Sequence, residues 1–168
     1  AHAIGAGLTL LEPQIVRPGR EGVTYRYWDW NRRYDAAGVL SPSGEPRALH
    51  AQRSIAVTDW SRPLGNAFVA ACRVVPSLIS DRHLTWTRVI EWDWFQVDRL
   101  QGTGQVEGYV VERFCAVTCV HGTVCIDSQL GTLNLECGES GVLPACSAMV
   151  TIEGRDADVF IVHEGATG

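Results

Sequence analysis

The run Tyr109-Val110-Val111-Glu112-Arg113-Phe114-Cys115-Ala116-Val117-Thr118-Cys119-Val120, followed after His121-Gly122-Thr123 by Val124-Cys125-Ile126, decides the fold class. Valine, threonine and aromatic side chains dominate it, and these suit a pleated, half-buried surface better than a helix. Working outward, the same texture returns in residues 92–97, 131–135, 148–152 and 159–163. The intervals hold Gly102 and Gly104, Gly122, Gly138 and Gly141, and Gly154 with Asp156, which read as turns. Short β-rich runs spaced by glycine turns, with few helical patterns after Pro76, predict a mainly β sandwich or jelly roll.

The first third of the chain is more mixed. Residues 4–11 are apolar with Gly5 and Gly7 and read as a turn feeding a strand; residues 23–30, rich in Thr, Tyr and Trp, read as a second strand. Residues 17–22 and 31–46 carry enough proline and glycine to be loops. Residues 48–60 have few breakers and place Leu49, Ile55, Ala56 and Val57 so as to predict a short helix. Trp28 and Trp30, and Trp92 and Trp94, stand two apart, which puts each pair on one strand face as core or lobe-interface packing.

Composition narrows the function classes. The 168 residues are 46% hydrophobic and 20% charged, enough for a well-buried domain and unlike a disordered chain. The net charge of -5 provides no footprint for nucleic acid or an anionic membrane, and no run of 18 apolar residues exists. All 14 basic residues are Arg. No lysine base or Schiff base is available, and a phosphate site built from this chain's own cations would use the bidentate guanidinium fork. The six Cys include no Cys-x-x-Cys pair, so buried, reduced thiols in a cytoplasmic setting are expected. No export leader is visible, and the abrupt apolar start at Ala1-His2-Ala3-Ile4-Gly5 leads us to expect that the natural protein begins upstream.

Two motifs carry chemistry. Gly138-Glu139-Ser140-Gly141-Val142-Leu143-Pro144-Ala145-Cys146-Ser147-Ala148-Met149 resembles the second cupin motif, and the fold this implies is a cupin-type jelly roll with a short helical segment. Cys146 stands at that motif's second Gly and Met149 at its metal-binding His; a thioether is a poor ligand for hard or borderline divalent ions. The resemblance therefore implies a lobe with no metal of its own. His2-Ala3-Ile4-Gly5 looks like the end of a matching motif from a preceding lobe.

The stretches His2 to Glu12, Thr24-Tyr25-Arg26-Tyr27-Trp28-Asp29-Trp30-Asn31-Arg32, Pro46-Arg47-Ala48-Leu49-His50, Ser54 to Trp60 and Gly138 to Ala145 together resemble bacterial type I mannose-6-phosphate isomerases, in the right order across most of the chain. The resemblance implies that residues 1–60 are the end of a catalytic cupin lobe with a connecting segment, and residues 61–168 a second, metal-free jelly-roll lobe. It implies one zinc ion with His2 as a ligand and the other ligands outside this sequence, a phosphosugar substrate, and the N-terminal half of the same enzyme as partner. It matches Arg26 to the family's active-site arginine and Glu12 to a carboxylate lining the same pocket. A guanidinium suits that role, because aldose–ketose isomerisation passes through an enediolate whose charge it can stabilise. Other readings stay open: His2 as an exposed terminal residue, Arg26 paired with Glu12 or Asp29, Glu12 as the end of a strand. The family's Ser-Asp pair before Thr-Tyr-Arg is replaced by Glu21-Gly22 with a longer loop, and Glu21 could substitute if that loop turns inward. Arg47 and His50 recur in the family, with His50 read as packing or hydrogen-bonding. His83, His121 and His163 lack ligand spacing and read as structural or surface residues. The alternative function is a non-catalytic cupin-like sugar-binding or regulatory module.

Overall fold

In a computed structural model of the protein, which describes residues 6–14 and 24–165, the chain forms two compact units, Ala1–Ala71 and Cys72–Gly168. The first is poor in regular structure. Its strands β1 (Arg33–Tyr34) and β2 (Glu45–Pro46) pair antiparallel and close the polar loop between them. Helix α1 (Ala51–Val57) falls inside the segment expected to be helical. Helix α2 (Gly65–Cys72) is all exposed and was not expected.

The strand expected over residues 23–30 does not form among the described residues 24–30. Trp30 and Asn31 take left-handed backbone angles (φ 51° and 53°), which ends any pleat, and Trp28 and Trp30 are exposed. Described residues 8–11 are likewise irregular and exposed.

The second unit is the predicted β domain. Strands β3 (Ser77–Ser80), β4 (Thr85–Glu91), β5 (Phe95–Val111), β6 (Cys115–Ser128), β7 (Gly131–Glu136), β8 (Ser140–Leu143) and β9 (Ala148–Glu164) form one antiparallel sheet. Its order is β3-β4-β5-β9-β6-β7, with β8 also on β6. The architecture is a cupin-type jelly roll.

Burial along the three long strands explains why their sequences look like separate short runs. In β6 the buried residues are Cys115, Val117 and Cys119, then Val124 and Ile126; in β9 they are Val150 and Ile152, then Ala157, Val159 and Ile161. In β5 they are Val97, Asp98 and Leu100, then Tyr109 and Val111. From Asp98 onward in β5, and throughout β6 and β9, the parity of the buried residues changes once, so each strand carries an extra residue that re-aims its side chains to the same interior after a bend. The register shifts between Cys119 and Thr123 in β6, between Gly154 and Ala157 in β9, opposite Gly102–Gly104, and between Val106 and Tyr109 in β5. Gly102, Gly104, Gly122 and Gly154, which read as turns, therefore lie inside continuous strands, whereas Gly138 stands in the β7–β8 turn as expected. Of the strand expected at residues 92–97, Phe95 to Val97 open β5, while residues 92–94 are the β4–β5 turn, closed by Trp92 N–H donating to Phe95 O at 3.2 Å.

Gly122 has φ +65°, and a Cβ there would meet the Asp156 carbonyl oxygen at 2.1 Å. Gly122→Ala is expected to cost at least about 2 kcal/mol, from the left-handed backbone together with the clash. Chemical denaturation reads it, and an unchanged midpoint would mean that the bend is not needed.

Among the cysteines, Cys115 and Cys119 are in the core, Cys125 is half-buried, and Cys72, Cys137 and Cys146 are exposed. Burial pushes the Cys115 thiol up to about 11, so it packs as a small apolar group. The three exposed thiols depart from the expectation of burial.

Candidate functional site

Residues 24–30 have no sheet ladder to hold them, so their backbone and side-chain polar groups must find partners elsewhere. They find them in the 45–58 stretch. Arg26 N–H faces His50 Nδ1 at 3.4 Å, Arg26 O accepts from His50 N–H at 2.8 Å, and Arg26 Nη1 donates to Ala48 O at 3.2 Å. The Tyr25 ring meets the His50 ring edge-on at 5.9 Å, and Tyr27 Oη bonds Thr58 Oγ1 just past α1.

Asp29 is the anchor of this loop. It is 5% exposed and accepts from Arg47 Nε at 2.8 Å and Nη2 at 2.5 Å, and from Arg32 Nη2 at 2.5 Å. The Arg47 hydrogen bonds, against the cost of burial and with help from Arg32, hold its carboxyl well below the usual carboxylate range. Arg47 also lies over the Tyr34 ring, 4.7 Å from its centroid. Sequence reading left Asp29 open as a partner of Arg26; the structure pairs it with Arg32 and Arg47.

Arg26 is half-buried at the centre of this arrangement, and its described hydrogen bonds run to Ala48 and His50. Glu12 is an exposed residue of the irregular stretch 6–14 and has a partner of its own. His2, Glu21 and Gly22 lie outside the described residues. Among the described residues no three His, Cys, Asp or Glu side chains converge where a metal ion could sit. They do not build a zinc site by themselves, and the chemistry open to them is that of a positioned guanidinium.

The second unit holds a polar cluster that sequence reading missed. Asp98, 1% exposed, bonds Arg88 Nε through Oδ1 and lies 3.4 Å from His163 Nε2 through Oδ2. Tyr109 Oη is 2.6 Å from the same His163 nitrogen, and the Trp86 indole N–H is buried beside the carboxylate without a partner in hydrogen-bond range. Burial opposes the charge on Asp98, but His163 and Arg88 outweigh it and hold the carboxyl below its ordinary value. Burial, then the Asp98 charge, pushes the Tyr109 hydroxyl far up. The register pairs Arg88 with Asp98 and Trp86 with Leu100 across β4 and β5, which sends all four to the inner face. His163 is thus a structural residue, as its lack of ligand spacing suggested. His121 is exposed beside Asp156. His83 lines an open groove of about 740 Å³ with Arg82, Gln105, Glu107, Glu153 and Arg155.

With the fold described, the class is that of mainly β, antiparallel, cupin-like proteins. Among solved structures, the chain is similar to the mannose 6-phosphate isomerase from Bacillus subtilis, with 22% identity and a TM-score of 0.60 over 83% of this chain and 40% of that one. It also matches a cupin-2 domain protein from Shewanella frigidimarina (16% identity, 51% of this chain and 85% of that one, TM-score 0.41). A cupin superfamily protein from Desulfitobacterium hafniense matches at 11% identity over 51% and 81%, with a TM-score of 0.43. The first likeness establishes the fold; the other two are too distant to add to it. The chain spans about two fifths of the length of the Bacillus subtilis structure, 40%. No protein-family model matches the chain, and no curated protein does.

Proposed function

We propose that this chain is part of a zinc-dependent aldose–ketose isomerase that interconverts mannose 6-phosphate and fructose 6-phosphate. The observation that carries the reading is Arg26: the residue matched to the family's active-site arginine is half-buried and held on both sides of its backbone by His50. The fold likeness to an isomerase of that substrate supports it. Residues 1–60 would close the catalytic lobe, and residues 61–168 would form the second lobe. The N-terminal half of the same enzyme is the proposed partner.

Zinc, with His2 as one ligand and the others outside this sequence, would supply Lewis acidity toward the sugar oxygens when bound. This chain's own contribution is electrostatic. As a proton leaves carbon 2 of the aldose, or carbon 1 of the ketose, charge develops on the neighbouring oxygen. A guanidinium already tethered at Nη1 meets that charge without having to reorganise. Glu12 is the proposed pocket carboxylate.

The test is an isomerase assay on the full-length protein, loaded with zinc and after chelation. Conversion of mannose 6-phosphate that chelation removes and zinc restores is the expected result. Binding of the phosphosugar without turnover would favour the non-catalytic sugar-binding or regulatory module instead, for which the departure at Glu21-Gly22 is the sequence argument.

A further inference from the structure

We infer that the segment Arg47-Ala48-Leu49-His50 is a clamp that sets the position of Arg26, with His50 as the positioning residue. The inference rests on the reading of Arg26 given above as the arginine that meets the reacting oxygens. Its grounds are geometric. Arg26 sits in irregular backbone, so no strand ladder fixes its main chain. One residue satisfies both of its backbone polar groups: the His50 amide donates to Arg26 O at 2.8 Å, and the His50 ring nitrogen Nδ1 faces Arg26 N–H at 3.4 Å. Two residues before His50, the Ala48 carbonyl tethers the guanidinium.

His50 is also a misfit for the place it occupies. It stands at the N-cap of α1 with φ -125° and ψ 41°, yet its side chain makes no capping hydrogen bond. Ser, Thr, Asp or Asn is the favoured residue at that position, because its side-chain oxygen can accept from an N–H of the first turn. Histidine forgoes that, and its ring is turned back to Arg26. Accepting through Nδ1 requires the neutral tautomer with its proton on Nε2.

The rest of the loop is fastened to the same segment and its continuation. Asp29 is gripped by Arg47 through two nitrogens, Arg33 pairs with Pro46, and Tyr27 reaches Thr58. Arg26 therefore lies between two fixed points, Asp29 on its C-terminal side and the His50 contact at its own backbone. The two sequence motifs, Thr24 to Arg32 and Pro46 to His50, are halves of one device.

The test uses the full-length, zinc-loaded protein. His50→Phe keeps a ring against Tyr25 but has no acceptor; His50→Asn restores an acceptor near Nδ1. His50→Phe is expected to lower kcat by about 10-fold with KM little changed, since small misplacements of a catalytic group cost up to about 100-fold. His50→Asn should recover most of that loss. Hydrogen exchange of the Arg26 amide, read by NMR, should quicken in His50→Phe and slow again in His50→Asn. Wild-type kcat together with wild-type Arg26 exchange in His50→Phe overturns the inference. If His50→Phe does not fold, His50→Leu takes its place with the same outcomes. A wild-type protein without isomerase activity overturns the proposed function instead, and Arg26 exchange then decides whether His50 holds the arginine.

Discussion

Arg26→Ala in the full-length protein is expected to lower isomerase kcat by about 100-fold or more, the usual loss when one preorganised donor to a developing oxyanion is removed. Its melting temperature should change little. Among the described residues the side-chain bond lost is an exposed one, Nη1 to Ala48 O at 3.2 Å, and such a bond is worth about 1 kcal/mol. The anchoring of the loop through Asp29, Arg32 and Arg47 stays in place. Arg26→Lys should recover only part of the rate, because an ammonium lacks the planar fork. Because the stabilised charge exists in the transition state and not in the bound sugar, kcat and kcat/KM should fall together. A variant that loses affinity for the phosphosugar but keeps kcat would move Arg26 from catalysis to substrate binding.

Asp98→Ala should cost about 4 kcal/mol, within the range for breaking a buried ion pair by removing one partner. Among the described residues it leaves Arg88, whose side chain is 23% exposed, with a 3.9 Å ion pair to Glu91, and it strips His163 of its carboxylate. The outer-face pair Arg99–Asp158, with side chains 34% and 18% exposed, makes a useful control: Asp158→Ala should cost much less, about 1 kcal/mol. Acid separates the two explanations of the Asp98 effect. Its folded-state carboxyl titrates lower than in the unfolded chain, so its stabilisation is full above the unfolded value near 4 and is lost as the pH falls through the folded one. The groups facing it are Arg88, His163, Tyr109 and Trp86. Melting curves of wild type and Asp98→Ala should lie far apart at pH 7 and converge below about pH 4. A constant gap down to pH 3 would mean that the loss is one of packing rather than charge.

The sequence by itself determined the class of the fold. Runs of Val, Thr, Ile and aromatic residues with period-2 burial can bury one face only as strands, and Ala51–Val57 declared itself by the absence of breakers. The motifs around Arg26, Arg47 and His50 singled these residues out, and the structure ties Arg26 to His50 and Arg47 to Asp29. Three things were decided only by the tertiary structure. The glycines at 102, 104 and 122 mark bulges, because whether a glycine ends a strand or bends it depends on a partner strand continuing past it. Residues 24–30 have strand-like side chains but no neighbour to pair with, and their polar groups are satisfied by the stretch Pro46 to Thr58 instead. Asp98 gave no local signal at all. Its partners lie on β4, β5 and β9, far apart along the chain, and a buried charge becomes visible only when the fold brings an arginine and a histidine to the same interior point.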